Sequence, residues 1–538
     1  MKTTRLAALA LALGLTLTAC GGGSSTPAPS QQPAGGNSPA PAVEADNSVL
    51  TIAIQDEVEG CDIQQIGWEN VVQALIYEPL VVFSPDLSEI QPAFAESYTI
   101  AEDGSYIDFV LPADAKFSNG DVCDAAAVKA SEERFLAISE YAGDLDAVES
   151  IEVVDAQTVR YHLSGPAPYM WASLTSTYGG INNVAVAETM SDDAFNRKPV
   201  TNGPFYVEEW VQGSQVTLKR NEYYQTSNPN VANKGILAFD TIVVRFIPDE
   251  FTRVSELESG DVDIIYDVPS ASIADLEANP DLTTYRYSQA GVSYLNMQTG
   301  KGPTADSKVR EALTLAVNRD EVVLALDGVV TPTYGFISEA QAGYSAGKEA
   351  ELSQKLAYNP EKAKALLAEA GWTDTNGDGF VDKDGQNLSF EMLVASDRAS
   401  IKAAAPVLQV QFNAIGVDAQ IREYEGAYIK QLMREDDFVM GGRNYVWNDA
   451  DILYYVFTSE SGYPWDDPAL TDALVVARTE NDTAARVKAY EAAQDILVGD
   501  CKAISLFADN YCVAAKKDIQ GLVVTNDGRS WFNDVKRG

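Results

Sequence analysis

The stretch AESYTIAEDGSYIDFVLPADAKFSNGDVCDAAAVKASEERFLAI, residues 95–138, holds the alternation that decides the fold class. Its first part reads as a hairpin. Asp103-Gly104 gives a type I′ turn signal, and Ile107, Phe109 and Leu111 alternate beyond it like a strand with one buried face. Its second part, DAAAVKASEERFLAI at 124–138, changes period and reads as a helix with Asp124 as N-cap. The same switching recurs on both sides. Upstream, SVLTIAI (48–54) reads as a buried strand, and IGWENVVQALIYEPLVVF (66–83) as a helix running into a strand. Downstream, NGPFYVEEWVQGSQVTLKRNEYY (202–224) reads as strand, turn, strand, and DTIVVRFIPD (240–249) as another strand. FTRVSELESGDVDIIYDV (251–268) passes from helix to strand at Gly260. Residues 306–328 hold two helices, the first capped by Asp306 and striped by Val309, Leu313, Ala316 and Val317. Asn359-Pro360 starts another helix, lined by Ala363, Leu366, Leu367 and Ala370 and ended by Gly371. Alternation of this kind predicts an α/β protein.

Residues 1–19 read as a signal peptide: Lys2 and Arg5 precede an apolar run that is too short to span a bilayer, which needs about 20 residues. Leu17-Thr18-Ala19-Cys20 is similar to the bacterial lipobox, which implies acylation of Cys20. The Gly/Ser/Pro/Ala-rich segment 20–47 has almost no large apolar residue and is expected to be a disordered tether. The membrane would be reached through the lipid anchor only, outside the cytoplasmic membrane or in a periplasm.

Acids outnumber bases 79 to 38, a formal charge of −41, which argues against nucleic acid as a partner. Cys61, Cys123, Cys501 and Cys512 make an even set outside the cytoplasm, so two disulfides are expected. Three connectivities are open. KAISLFADNY between Cys501 and Cys512 reads as two strands around Ala508-Asp509-Asn510, which favours Cys501–Cys512 with Cys61–Cys123. The one histidine, His162, lies in an alternating strand, and no GxSxG, P-loop or HExxH motif occurs. A nucleophile with its base is therefore not visible, and the chain does not read as an enzyme.

IYEPLV (76–81), the 95–131 hairpin and helix, TNGPFYVEEW (201–210), SGDVDII (259–265), GVSYLNMQTGKGPTADSKVREALTLAVNRDEVV (291–323), YNPEKAKALLAEAGW (358–372) and IQGLVV (519–524) occur in this order. Together they resemble the bacterial family 5 extracellular solute-binding proteins, the dipeptide, oligopeptide and nickel receptors of ABC importers. The resemblance implies a periplasmic-binding-protein-like fold of two hinged lobes with an extra subdomain in lobe I. Its segments would be lobe I at 48–81, 198–290 and 506–538, the subdomain at 82–197, and lobe II at 291–505. It implies a monomeric receptor that captures a small peptide and hands it to ABC permease subunits. Another solute (a chelated metal, an opine, an oligosaccharide) and a surface lipoprotein without transport are the alternatives.

The densest chemistry is RNYVWNDAD, residues 443–451. In peptide-binding relatives this region holds an aromatic residue and an aspartate for the peptide ammonium. Asp449 and Asp451 are the two candidates, with Trp447 and Tyr445 as flanking aromatics and Arg443 as a fork for a ligand carboxylate. The other reading makes one aspartate the cap of a helix starting at Ile452 and the aromatics core. Tyr294 and Asn296 are further cleft candidates, with strand packing as the alternative; Tyr424, Glu425 and Tyr428 are weaker ones. DTNGDGFVDKDG, 374–385, places Asp374, Asn376, Asp378 and Asp382 at EF-hand-like spacing, but Gly385 stands where the bidentate glutamate belongs. Structural Ca²⁺ is the one cofactor this spacing suggests.

Overall fold

The computed structural model describes residues 48–463 and 467–538; residues 1–19, Cys20 and the tether at 20–47 lie outside the described residues. The hairpin-and-helix stretch folds largely as its pattern predicts. Strands Ser97–Ile100 and Tyr106–Val110 pair, and they extend through Thr158–Leu163 and Val148–Val153 into a four-stranded antiparallel sheet. Asp124 accepts from the amides of Ala126 and Ala127 and starts the helix Ala125–Ile138. The turn differs from a type I′. Only Gly104 has positive φ, at 72°, and Asp103 turns its carboxylate onto the Ser105 amide and hydroxyl. A longer loop closed by Ala101 and Tyr106 replaces the two-residue turn. His162 sits on this sheet, half-exposed, 2.7 Å from Glu152, and has a structural place there.

A 12-stranded sheet runs through both lobes among the described residues. In lobe I the strand Val49–Ile54 is sandwiched in parallel between Thr241–Phe246 and Ile264–Ile265. A strand flanked on both sides needs an apolar run, and Leu50, Ile52 and Ala53 are fully buried. Each large apolar side chain so buried contributes about 1.5–3 kcal/mol. In lobe II, Gly291–Met297 pairs antiparallel with Met440–Val446, which pairs in parallel with Ser389–Ala395. The helix Ser307–Leu315 covers this part, and Val309, Leu313, Ala316 and Val317 enter its core as the stripe predicts. Asn359 caps Pro360–Glu369, and Gly371 ends it at φ 87°.

The lobes are joined by two strands. Ala503–Lys516 is one continuous strand; its first half pairs with Gly291–Met297 and its second half with Leu282–Ser288 and Ile264–Ile265. The second crossing is made at Gln289-Ala290, between Leu282–Ser288 and Gly291–Met297. The expected hairpin around Ala508-Asp509-Asn510 is therefore corrected to a single extended strand, and the disulfide built on it falls. Cys501 and Cys512 are separated by strand rising about 3.3 Å per residue, so they lie roughly 30 Å apart, beyond the reach of about 7 Å that a disulfide allows. Cys61, Cys123, Cys501 and Cys512 are all free thiols in buried positions. Burial pushes the Cys61 thiol up to about 12 and the Cys512 thiol up to about 11, which keeps both protonated and unreactive.

Candidate functional site

The segment after the strand Met440–Val446 is pinned in place before any side chain is considered. The Trp447 amide donates to the Ala290 carbonyl at 2.7 Å, and the Gln341 side chain donates to the Trp447 carbonyl at 2.9 Å. Ala342 and residues 448–450 exchange further backbone bonds. This frame sends the Trp447 ring across to lobe I, where it stacks on Tyr141 with centroids 6.3 Å apart and planes 22° apart. Tyr141 in turn packs on Tyr178 at 4.8 Å. Both tyrosine hydroxyls donate to the Gly67 carbonyl, at 2.7 and 3.0 Å, so the wall is fixed beside the exposed Trp68.

The two aspartates have other partners. Asp449 is fully buried, and its two oxygens accept from the Arg486 guanidinium at 2.7 and 2.8 Å. It also accepts from the Asp451 amide at 2.8 Å. Its charge is neutralised within lobe II, and the ammonium role expected for Asp449 is corrected to a buried structural ion pair. Asp451 lies 3.2 Å from the Arg478 Nε, and burial pushes its carboxyl up to about 7. Arg478 is a cross-lobe element: its guanidinium stacks between Tyr169 of lobe I and Tyr454 of lobe II, 4.1 Å from each ring. Tyr169 is anchored by donating to Asp146 at 2.5 Å. Asp451 thus holds Arg478 in the lobe contact and is not presented to a solute as a bare carboxylate.

Tyr294, Asn296 and Tyr445 are corrected from cleft lining to core. Tyr294 is 1 % exposed and packs against Phe336, Tyr445 and Phe457 with centroids 5.4–6.0 Å away. The Tyr445 hydroxyl donates to the Phe336 carbonyl. Asn296 is buried near the end of its strand. Strand alternation explains this: positions 292, 294 and 445 point into one apolar cluster. Arg443 is different. It is half-buried and lies 5.4 Å from the Tyr463 ring. Tyr424 and Tyr428 pack edge to face at 5.2 Å, on the strand Asp418–Tyr424 and the helix Gly426–Arg434.

The acidic loop is closed by its own hydrogen bonds. Asp374 accepts from the Gly377 and Gly379 amides, Asp378 from the Phe380 amide and the Asn376 and Asn387 side chains. Asn376 accepts from the Asp378 amide. Asp382 is buried and accepts from the Thr375 amide and hydroxyl. These oxygens close turns on backbone and side-chain donors. Among the described residues no group of three or more His, Cys, Asp or Glu side chains is placed to hold a metal ion.

Of the side chains that meet between the lobes, the sequence motif at 443–451 contains Trp447 but not Tyr141, Tyr178, Tyr169 or Arg478. These come from distant segments, and no local spacing marks them.

Residues 89–465 match the family model described as bacterial extracellular solute-binding proteins, family 5 Middle. The chain belongs to that family, whose members are solute receptors of ABC importers and not enzymes. It is 29% identical over 351 residues to the oligopeptide-binding protein AppA of Bacillus subtilis (strain 168), covering 63% of this chain and 62% of that one. The match therefore spans less than two thirds of AppA. It is 26% identical over 495 residues to the dipeptide-binding protein of Escherichia coli (strain K12), covering 86% and 88%. The structure of AgaA from A. tumefaciens R10, in complex with agropinic acid, superimposes with a TM-score of 0.70 at 27% identity, covering 91% of this chain and 99% of that one.

Proposed function

We propose that this family 5 receptor is anchored to the cell envelope through Cys20, captures a small peptide between its lobes and delivers it to an ABC permease. The observation that carries the reading is the aromatic wall in which Trp447 of lobe II meets Tyr141 and Tyr178 of lobe I. A wall shared by two lobes forms only when they approach, so solute and closure are coupled through it. The relatives named as oligopeptide- and dipeptide-binding proteins support a peptide as solute. Because Asp449 is neutralised by Arg486 and Asp451 faces Arg478, the peptide end that lobe II recognises is its carboxylate, with Arg443 as the fork. The lipobox at 17–20 supports the anchor.

Mass spectrometry of solute released from denatured protein, followed by calorimetry with the peptides found, tests the substrate class. Peptides are expected, and their C-terminal amides should bind at least about tenfold more weakly, given tenfold per 1.4 kcal/mol. Release of a non-peptide solute together with failure of peptide pools to bind would overturn the class. Cys20→Ala is expected to move the protein from the membrane fraction to the medium or periplasm; membrane retention without acyl mass on the wild type would overturn the anchor.

A further inference from the structure

The lobe contact around Arg478 gathers more acid than base. Lobe II supplies Arg478 at the end of the helix Pro468–Arg478, Asp449 and Asp451 just before the helix Ile452–Phe457, and Arg486 on the helix Thr483–Gly499. Asp449 and Arg486 neutralise each other through two hydrogen bonds, which leaves Asp451 with Arg478. Lobe I brings the Tyr169 ring onto the Arg478 guanidinium, and with it Asp146, whose carboxylate accepts from the Tyr169 hydroxyl. Asp144, two residues earlier, has a buried Oδ2 with no hydrogen-bond partner. One guanidinium therefore stands between acids contributed by two lobes.

The Asp451–Arg478 pair is not closed in the way its neighbour is. Asp451 Oδ1 and Arg478 Nε are 3.2 Å apart and both buried, yet neither completes a hydrogen bond. The guanidinium is held instead by the rings of Tyr169 and Tyr454 and by a bond from its Nη2 to the Tyr455 hydroxyl at 3.2 Å. A carboxylate this deeply buried, with an oxygen left unbonded, is costly in its charged form. Burial raises the Asp451 carboxyl first; Asp449 and, across the lobe contact, Asp146 add to the rise, while Arg478 and Arg486 oppose it. Burial and then Asp146 push the Asp144 carboxyl up to about 7 as well. The other titratable groups facing Asp451 and Arg478 are the hydroxyls of Tyr169, Tyr455 and Tyr490, which burial raises and keeps neutral.

We propose that Asp451, Arg478 and Asp146 form a proton-operated latch: closing the lobes places a solvent proton on Asp451, and opening them returns it, so acid favours the closed receptor and alkali the open one. The latch rests on the two-lobe receptor reading but not on which solute is captured. Opening withdraws Tyr169 and Asp146 and lets water reach the pair, so both causes that raise the Asp451 carboxyl weaken. Its value then falls from about 7 toward the ordinary 3.8. Between those limits the closed form keeps a proton that the open form has lost. The weight of the closed form therefore decreases as pH rises through this window and levels off above about 7.

The test is small-angle X-ray scattering of the solute-free protein at about pH 5 and about pH 8, with thermal unfolding as a check on folding. Wild type should show the smaller radius of gyration at the lower pH. Asp451→Asn, which cannot ionise, should keep the smaller radius at both. Asp146→Asn removes the acid that faces Asp451 from lobe I and should move the transition to lower pH. Equal wild-type radii at the two pH values overturn the latch. A change of the same size in Asp451→Asn also overturns it, because expansion driven by the overall charge of −41 would survive that substitution. If Asp451→Asn does not fold, Asp146→Asn decides alone: a transition at the wild-type pH overturns the latch, and a lowered one upholds it.

Discussion

The Trp447 ring of lobe II stacks on the Tyr141 ring of lobe I at 6.3 Å and 22°, although the two residues are far apart in the chain. The contact exists only while the lobes are together, so it adds to the free energy of the closed state and is absent from the open one. Trp447→Ala and Tyr141→Ala should each weaken solute binding, and the double-mutant cycle should give a coupling of about 0.5–1.5 kcal/mol. Additive effects of the two substitutions would remove the stack from the closing step.

Asp449→Ala should destabilise the fold by about 3–5 kcal/mol, because Arg486 is left buried with its fork unpaired. Solute affinity of the molecules that remain folded should be nearly unchanged. Urea unfolding measures the first effect and calorimetry the second. A large affinity loss without destabilisation would return Asp449 to the binding site. Asp449→Leu/Arg486→Met, which removes both charges, should recover much of the lost stability.

Strands and helices near 95–138 and 306–371 are legible in the sequence because period and caps agree there: Asp124, Asp306 and Asn359 each accept from the amide their spacing predicts. The long strand Ala503–Lys516 is not. Its polar Asp509-Asn510 pair imitates a turn, but those residues lie where the strand passes between the lobes and bond Gln289, Ser288 and Thr331. The site is half legible. An aromatic next to acids marks 443–451, yet whether an aspartate is free depends on Arg478 and Arg486, which only the fold brings to it. Tyr294 and Tyr445 show the same limit: a tyrosine on a strand does not disclose which face is the core.

The four free thiols give a redox prediction. In the Cys20→Ala chain, mass spectrometry after alkylation in denaturant without reductant should find four modified cysteines, at 61, 123, 501 and 512. Dithiothreitol should leave the melting temperature unchanged. Loss of four mass increments, paired to a Tm drop on reduction, would reinstate disulfides.

Chelator should leave the unfolding curve where it is, since the oxygens of the 374–382 loop already accept backbone and side-chain donors. Asp374→Ala should instead cost about 1–2 kcal/mol by orphaning the Gly377 and Gly379 amides, with calcium present or absent. A calcium-dependent rise in Tm that Asp374→Ala abolishes would establish the metal site after all.

Glu132 offers the cleanest pH test. It is 2 % exposed on the inner face of the helix Ala125–Ile138, and burial, opposed only weakly by Tyr161, pushes its carboxyl up to about 8 from an ordinary value near 4.5. The sign follows from proton counting. Between about 4.5 and 8 the folded protein keeps a proton that the unfolded chain has lost, so the stability of the fold falls as pH rises through this window and levels off above it. Each unit of separation corresponds to about 1.4 kcal/mol. Glu132→Gln keeps the shape and cannot ionise. It should therefore match wild type near pH 4.5 and exceed it by a few kcal/mol near pH 8, the gap opening steadily between. Urea unfolding of both proteins across this range reads the difference directly and cancels the other titrating groups. Parallel curves for the two proteins would mean that Glu132 ionises in the fold as easily as in water, and that its burial is compensated by a partner other than Tyr161.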